Sequence, residues 1–386
     1  MFRYSKKLHS LPPYLFLELD QTKRKAKQKG QDIIDLGIGD PDQAPPDYVI
    51  RALKEVLTLP GIHRYSLDQG DLEFRQAISD WYLRRFKVKL DPDNEILPLI
   101  GSKEGLTHFP LAFLNPNDYA IIPDPAYPAY QGGVILAGSR PYRLPLKEAN
   151  DFLPEFKRIP YSVLRRTKMI FINYPNNPTS SVASREFYQD LIGFAAKYKI
   201  IVVSDLAYSE ITYDGYKSPS ILEIEGAKEV AVEFHSLSKT YNMTGWRIGW
   251  ACGNKDLIAA LLRVKSNIDS GIFIAIQKAG IAALRGSDEH IVKMCSLYRE
   301  RRDVLVEGLS NLGWIFKKPL ATFYLWARIP KGSDSISFCQ FLLEKTGVVV
   351  TPGIGFGRHG EGFVRWALTV DKERIKEAIL RLKKVL

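Results

Sequence analysis

A lysine follows two serines at the end of one of the apolar runs of this sequence. The segment 236–239 reads SLSK directly after VAVEFH, and Arg247 stands eight residues beyond Lys239 in TGWRIGWACG. Burial and nearby cations lower the pKa of a lysine, whose neutral amine can then form an imine with an aldehyde. An arginine that enters an apolar strand is costly unless it meets an anion. The pattern favours a covalent lysine site, although Lys239 alone is also typical of a surface loop.

Two further apolar runs end in groups that could hold a planar heterocycle. KIIVVSD ends at Asp205, with Tyr208 one turn later, and KMIFIN leads into the turn NYPNNPT, which contains Asn177. A buried carboxylate keeps a ring nitrogen protonated, which makes a pyridinium ring an electron sink. The rigid turn fixes the Asn177 amide where it could donate to a phenolate-type oxygen. The alternatives are a helix N-cap for Asp205 and an ordinary turn for Asn177.

Groups suited to anions and to an aromatic ring complete the set. GSKEG at 101–105 precedes a helix-period stretch, so backbone N–H groups with Ser102 and Lys103 form an anion cradle without Walker spacing. Tyr127 could stack on a planar ligand or simply occupy a turn. Arg365, inside GFVRWALTV, could bind a carboxylate in bidentate fashion or join a buried salt bridge. Pyridoxal phosphate needs all of these groups, and few other ligands do.

The elements that must position these side chains follow an alternating order. Apolar runs at 96–100, 119–123, 168–173, 199–205, 230–236 and 247–253 are separated by helix-period stretches such as 103–114, 184–198 and 255–265. This pattern predicts an α/β fold with a mostly parallel sheet covered on both faces. Ligands bind at the carboxyl ends of the strands in such sheets.

The C-terminal part predicts a smaller α/β unit. A long charged helix over 288–312 leads to strands at 322–328, 347–352 and 362–370 and to a last helix over 372–386. We therefore predict a large cofactor-binding domain over 41–286 and a small C-terminal domain over 287–386. The first forty residues are expected to pack on the small domain.

Composition excludes several other classes of protein. The chain has 386 residues, 45% of them hydrophobic and 25% charged, which is ordinary for a globular protein. Its net charge of +11 comes from scattered lysines and arginines, so binding of nucleic acid is not expected. The three cysteines form no CxxC pair and the six histidines no HExxH motif, which argues against a metal site. With no long apolar run and no signal peptide, a cytoplasmic protein without a membrane partner is expected.

These motifs give the chain a family resemblance over essentially its whole length. It resembles the fold type I, aspartate aminotransferase-like pyridoxal-phosphate enzymes, through NNPT, SDLAY, SLSK and the arginines at 247 and 365. Stretches such as LPPYLF (11–16), DLGIGDPD (35–42), AYSEITYDGY (207–216) and SNIDSG (266–271) make it most similar to the LL-diaminopimelate aminotransferase branch. One departure is Ser180, where the family usually has glycine after NPT; a serine there is costly if φ is positive.

The resemblance implies a large domain with a seven-stranded sheet, and a homodimer with shared active sites. It implies catalytic roles for Lys239, Asp205 and Tyr208. Cofactor contacts would come from Tyr65 of the neighbouring subunit and from Ser102, Lys103, Tyr127, Asn177, Asp205, Tyr208, Ser236, Ser238, Lys239 and Arg247. Substrate contacts would come from Tyr14, Gly39, Lys103, Tyr127, Asn177 and Arg365, and Asn267 or Ser270 is a further candidate across the dimer.

The implied activity is ping-pong transamination with glutamate as the amino donor, which yields LL-2,6-diaminopimelate from tetrahydrodipicolinate for lysine biosynthesis. An aspartate or alanine aminotransferase on the same scaffold is the nearest alternative. A lyase or racemase with the same cofactor is another, because the residues around Lys239 do not dictate which bond breaks. A non-catalytic regulator that senses pyridoxal phosphate is a more remote alternative.

Overall fold

The computed structural model describes residues 2–12, 23–24, 26–28 and 30–386 of the chain. Tyr14, a predicted substrate contact, lies outside the described residues. No helix in these ranges is both long and apolar enough to cross a membrane. The same residues contain no group of histidines, cysteines or carboxylates that could hold a metal ion.

A mixed, mostly parallel sheet of seven strands forms the centre of the described chain. After the short segment β1 (Ile34–Asp35), its strands are β2 Ile96–Leu99, β3 Tyr119–Asp124, β4 Arg140–Pro145, β5 Thr167–Asn173, β6 Ile201–Asp205, β7 Ala231–Ser236 and β8 Gly249–Gly253. They lie in the order β2-β8-β7-β6-β5-β3-β4. β8 runs antiparallel to both of its neighbours, and the other pairs are parallel.

Both faces of this sheet are covered because its strands are apolar at successive positions. In β5, Ile170 and Ile172 belong to one hydrophobic core, while Met169 and Phe171 belong to another. Side chains in a strand point alternately to opposite faces, so the two cores lie on opposite faces of the sheet. The predicted fold class is confirmed.

Helices cover both faces of this sheet. Those over Leu72–Phe86, Arg185–Tyr198 and Ile274–Arg285 contribute to the first core, and those over Ser102–Phe113, Pro128–Leu136 and Lys255–Lys265 to the second. Further α-helices of the described residues are Lys6–Ser10, Asp47–Val56, Tyr161–Leu164, Ala227–Val230, Leu237–Thr240, Glu289–Asn311, Ser335–Thr346 and Lys372–Leu382.

A second set of strands lies in the C-terminal part. β9 (Tyr324–Arg328), β12 (Phe363–Ala367) and β11 (Thr351–Pro352) form an antiparallel sheet in the order β11-β12-β9. The predicted strand over 347–352 is wrong as one element, because β10 (Val348–Val349) pairs with β1 instead. The helices Glu289–Asn311 and Lys372–Leu382 contribute to a third core with β9 and β12.

The N-terminal segment contacts both parts of the fold. Ile34 and Asp35 pair with β10, whereas the Lys7 ammonium donates to the carbonyl of Leu136 beside the large sheet. The predicted domain limits at 40 and 286 stay predictions.

The register of the large sheet brings separate chain segments to one edge. Asn173, the last residue of β5, lies opposite Asp205, the last of β6. Ser236, at the end of β7, lies opposite Gly249, which in turn faces Leu99 at the end of β2. The loops that carry the predicted site residues therefore begin side by side.

Candidate active site

A cavity of about 260 Å³ opens at this edge of the sheet. Among the predicted site residues that the structure describes, all except Tyr65 line it. The predicted residues in its wall are Gly39, Ser102, Lys103, Tyr127, Asn177, Asp205, Tyr208, Ser236, Ser238, Lys239, Arg247 and Arg365. Residues not predicted for the site that also line it are Ile38, Asn173, Ala207, Thr244 and Tyr324.

Lys239 reaches the cavity from a short helix that begins where β7 ends. The Ser236 hydroxyl accepts a hydrogen bond from the N–H of Ser238 and so caps the helix Leu237–Thr240. The Lys239 ammonium donates to the carbonyl of Gly39 over 2.9 Å. Burial is the main reason that its pKa is lowered to about 8; the Asp40 carboxylate opposes this shift, whereas the cations of Arg365 and Arg247 act with it. The lysine can therefore supply a neutral amine near neutral pH.

Asp205 ends β6 as a buried carboxylate. Its Oδ2 accepts a hydrogen bond of 2.7 Å from Tyr130, and Oδ1 accepts a longer one from the N–H of Ala207. The Asn173 amide donates to the carbonyl of Asp205 over 2.8 Å, which joins the ends of β5 and β6. Burial raises the pKa of Asp205 to about 6, against the effect of these two donors. A cationic ring nitrogen beside it would favour the ionised form.

Asn177 connects the turn after β5 to the C-terminal sheet. Its backbone N–H donates to Oδ1 of Asn173 over 2.7 Å, and its own Oδ1 accepts from Arg365 over 2.8 Å. Because Arg365 engages the amide oxygen, the side chain presents its nitrogen as a donor.

The anion cradle forms at the start of the helix Ser102–Phe113. Gly101 precedes this helix with φ 76°, and a side chain on it would overlap the Arg247 guanidinium. The guanidinium and the N-terminus of the helix therefore lie against each other, a combination that attracts an anion.

Arg247 itself lies before β8 and is exposed, with φ 55° and a hydrogen bond to the carbonyl of Thr244. The prediction that it enters a buried strand is wrong, because β8 begins only at Gly249. It reaches the cavity from a loop instead.

Arg365 is a buried cation in the middle of β12, as predicted, with only 2% of its surface exposed. Its second guanidinium nitrogen donates to the carbonyl of Gly37 over 2.8 Å. The group lies between two aromatic rings, 4.2 Å from the centroid of Tyr324 and 4.7 Å from that of Phe356. This packing fixes the plane of the guanidinium, which suits bidentate binding of a carboxylate.

Sequence reasoning missed two tyrosines at this site. Tyr130 lies one helical turn after Tyr127 in AYPAY, a spacing that could have indicated a second site residue. Tyr324 carries no such signal, since it is one of several aromatic residues in TFYLWAR. Its hydroxyl lies 3.1 Å from that of Tyr208, and a side chain on Gly39 would overlap it.

The single chain does not bring Tyr65 into the site, because 90% of this residue is exposed and it is not in the cavity wall. The next residue, Ser66, donates to the carbonyl of Ser270 over 3.2 Å, so the two loops expected to reach a partner subunit contact each other. The roles of Tyr65, Asn267 and Ser270 across a dimer stay predictions.

Ser180 adopts the conformation that makes a serine costly. Its φ is 59°, in the left-handed region that favours glycine. The turn that carries Asn177 nevertheless lines the cavity.

The groups around the cavity fit pyridoxal phosphate. Its phosphate could be bound by serines, a helix N-terminus and Arg247. Asp205 suits its ring nitrogen, and the Asn177 amide and the Tyr208 hydroxyl suit its ring oxygen. Lys239 suits its aldehyde, and the ring of Tyr127 offers an apolar face.

Comparisons with known proteins agree with this fit. Residues 31–382 match the family described as aminotransferase class I and II. The chain is 53% identical to an LL-diaminopimelate aminotransferase from Moorella thermoacetica, over 99% of this chain and 98% of the relative. It is 52% identical to one from Aquifex aeolicus, over 99% of both chains. Among solved structures, substrate-bound BacF from Bacillus subtilis is 37% identical, with a TM-score of 0.96, over 100% of this chain and 98% of that one.

Proposed function

Because the chain belongs to the aminotransferase class I and II family, we infer that it transfers an amino group between glutamate and tetrahydrodipicolinate. The products would be 2-oxoglutarate and LL-2,6-diaminopimelate, in lysine biosynthesis. Curated relatives that are about half identical over the whole chain carry the name of this activity, which supports the choice of substrate.

One observation carries the proposal. Lys239, Asp205 and Arg365 line a single cavity although they come from separate parts of the chain. Lys239 lies in the short helix after β7, Asp205 ends β6, and Arg365 lies in β12 of the C-terminal sheet. Amino transfer needs one group of each kind. The lysine, with its lowered pKa, is a covalent attachment point that can also move a proton. The carboxylate is a partner for a ring nitrogen, and the fixed guanidinium binds the substrate carboxylate.

We assign the binding of pyridoxal 5'-phosphate to the wall of this cavity. Ser102, Ser236, Ser238, Lys103 and Arg247 would hold its phosphate. Asn177 and Tyr208 would hold its ring oxygen, and Tyr127 would stack on its ring. When it is bound, the cofactor supplies a pyridinium ring that takes up the electron pair left on the substrate α-carbon.

The chain's own groups bind and orient the substrate and move one proton. Arg365 would bind the α-carboxylate of each amino acid and keto acid, since every substrate of the reaction carries one. Lys239 Nζ would take the proton from the substrate α-carbon and deliver it to C4′ of the cofactor. Asp205, kept ionised by Tyr130 and the N–H of Ala207, would hold the ring nitrogen in its protonated form.

We propose that the protein is a homodimer and lies in the cytoplasm. The cavity wall of one chain lacks Tyr65, which the family resemblance assigns to the neighbouring subunit, so a second copy would complete the phosphate site.

An aminotransfer assay tests the function. The protein loaded with pyridoxal phosphate should transfer the amino group of LL-diaminopimelate to 2-oxoglutarate, and meso-diaminopimelate should react far more slowly. Lys239→Ala, which removes the covalent anchor, serves as the inactive control. Faster amination of oxaloacetate or pyruvate than of tetrahydrodipicolinate would favour an aspartate or alanine aminotransferase instead.

A further inference from the structure

Ser180 joins the cofactor turn to the start of β9. Its hydroxyl donates to the carbonyl of Tyr324 over 2.7 Å and lies 2.9 Å from the hydroxyl of Thr322. Both hydroxyl-bearing residues are buried, with 5% of Ser180 and none of Thr322 exposed. These contacts form outside any helix or strand ladder and connect the turn that holds Asn177 to the C-terminal sheet.

Both partners of this contact adopt a backbone conformation that side chains disfavour. Ser180 has φ 59° and Thr322 has φ 66°. A β-branched residue is especially costly in the left-handed region, so this conformation persists only where the surroundings hold it. A glycine at 180 would take the same φ freely but would remove both hydrogen bonds. The serine therefore has a strained backbone, but it makes two hydrogen bonds that a glycine could not make.

This link fixes the backbone of Tyr324 from both sides. The Ser180 hydroxyl binds its carbonyl, while the Thr322 hydroxyl accepts from its N–H over 3.1 Å. The side chain of Tyr324 then sets two groups of the site. Its hydroxyl lies 3.1 Å from that of Tyr208, and its ring lies under the Arg365 guanidinium.

We propose that Ser180 is a positioning residue which, through Thr322 and the backbone of Tyr324, fixes the hydroxyl of Tyr208 and the guanidinium of Arg365 relative to each other. Tyr324 is the residue through which it acts, and its hydroxyl holds the Tyr208 phenol, which would contact the ring oxygen of the cofactor. This inference rests on the proposed function only for the roles of Tyr208 and Arg365.

The kinetic test compares Ser180→Gly, Tyr324→Phe and the double variant. Ser180→Gly should load with cofactor normally and lose roughly tenfold in kcat/KM for LL-diaminopimelate and for glutamate alike. The pH titration of the visible absorbance of bound cofactor should shift in the same direction in Ser180→Gly and Tyr324→Phe, because each disturbs the partner of Tyr208. In the Tyr324→Phe background, Ser180→Gly should lower kcat/KM much less, because the contact between residues 324 and 208 is already absent.

Lys199→Gly is the matched control. Lys199 also has a positive φ, 53°, and it is exposed at the end of the helix Arg185–Tyr198. The glycine relieves strain there without touching the cavity, so kcat/KM and the absorbance titration should stay unchanged.

Crystal structures of the cofactor-free wild type and Ser180→Gly separate this inference from the proposed function. The distance between the Tyr208 and Tyr324 hydroxyls should exceed hydrogen-bond reach, about 3.5 Å, in the variant only. If wild-type protein failed to transaminate LL-diaminopimelate, the proposed substrate would be wrong while this distance still tested the link. An unchanged distance, or losses that simply multiply in the double variant, would overturn the inference.

Discussion

The phenol of Tyr130 donates a 2.7 Å hydrogen bond to Oδ2 of Asp205, a residue of the cavity wall. Tyr130 is fully buried and stacks on Phe171 of β5, with 5.1 Å between the ring centroids. The donor therefore cannot easily turn away from the carboxylate. Since a hydrogen bond to a carboxylate favours its charged form, Tyr130 opposes the effect of burial on the pKa of Asp205.

Tyr130→Phe should raise the pKa of Asp205 further above its ordinary value. The acidic limb of the pH profile of kcat/KM should then move to higher pH, by roughly one unit for the loss of one charge-assisted hydrogen bond. Tyr188→Phe is the control, because Tyr188 is equally buried but donates to the carbonyl of Tyr174 away from the cavity. An unchanged acidic limb in Tyr130→Phe would mean that Asp205 does not govern it.

Lys239 should react with pyridoxal phosphate through its neutral form. Its folded pKa of about 8 lies below the ordinary 10.5, so the rate of reconstitution of the cofactor-free protein should rise with pH and level off above about 8. Borohydride reduction and peptide mapping should then find the label on Lys239. Asp40→Asn should move the midpoint to lower pH, because the Asp40 carboxylate raises this pKa. A label on another lysine would refute the assignment.

Arg365→Lys keeps the charge but loses the planar fork. The variant should fold and bind cofactor, while kcat/KM falls by about 2–4 kcal/mol of transition-state binding for glutamate and for LL-diaminopimelate alike. Arg328→Lys is the control, because Arg328 is an exposed arginine stacked on Phe363 at the end of β9. A loss confined to one substrate would instead assign Arg365 to the discriminating end of the site.

Glu233 should make the cofactor-free protein less stable as the pH rises. It is fully buried in β7 and accepts hydrogen bonds from Tyr82 and Ser220, yet burial raises its pKa to about 7. The folded state thus holds this proton more tightly than the unfolded state, whose pKa is near 4.5, and stability is lost as the pH rises through this window.

Urea unfolding at pH 5 and pH 8 measures this effect. Wild type should lose about 2 kcal/mol more than Glu233→Gln between the two values, because the amide does not titrate. Glu229→Gln removes an exposed carboxyl in the helix Ala227–Val230 and should behave like wild type. Equal losses in Glu233→Gln and wild type would show that Glu233 titrates normally.

The sequence predicted the strands whose side chains are apolar on both faces, and it missed β4. That strand, RPYRLP, carries two arginines and two prolines and lies at the edge of the sheet, where neither continuous burial nor a full set of hydrogen bonds is required. The predicted helices over 255–265 and 184–198 agree with the structure to within one residue at each end.

Residues of the site were predictable where a motif follows a strand, as for Asp205, Asn177 and Lys239. Tyr324 was not, because its role depends on the contact between its ring and Arg365 on a neighbouring strand, a relation that has no fixed spacing in sequence. Arg247 was assigned to the right cavity for a wrong reason. It lies in a loop, and its position depends on the missing side chain of Gly101.

The reversed direction of β8 decides which changes of loop length the site can tolerate. The chain leaves the sheet at Ser236 and re-enters it at Gly249, directly opposite, so the twelve-residue return over 237–248 begins and ends at the rim that holds the cavity. Lys239 and Arg247 both lie in this connection, whose two ends are held side by side by the sheet. Extra residues between them would separate the covalent anchor from the anion cradle, whereas residues inserted after Gly253, at the opposite edge, would leave both where they are. Insertions are therefore expected after Gly253 and not between 237 and 248.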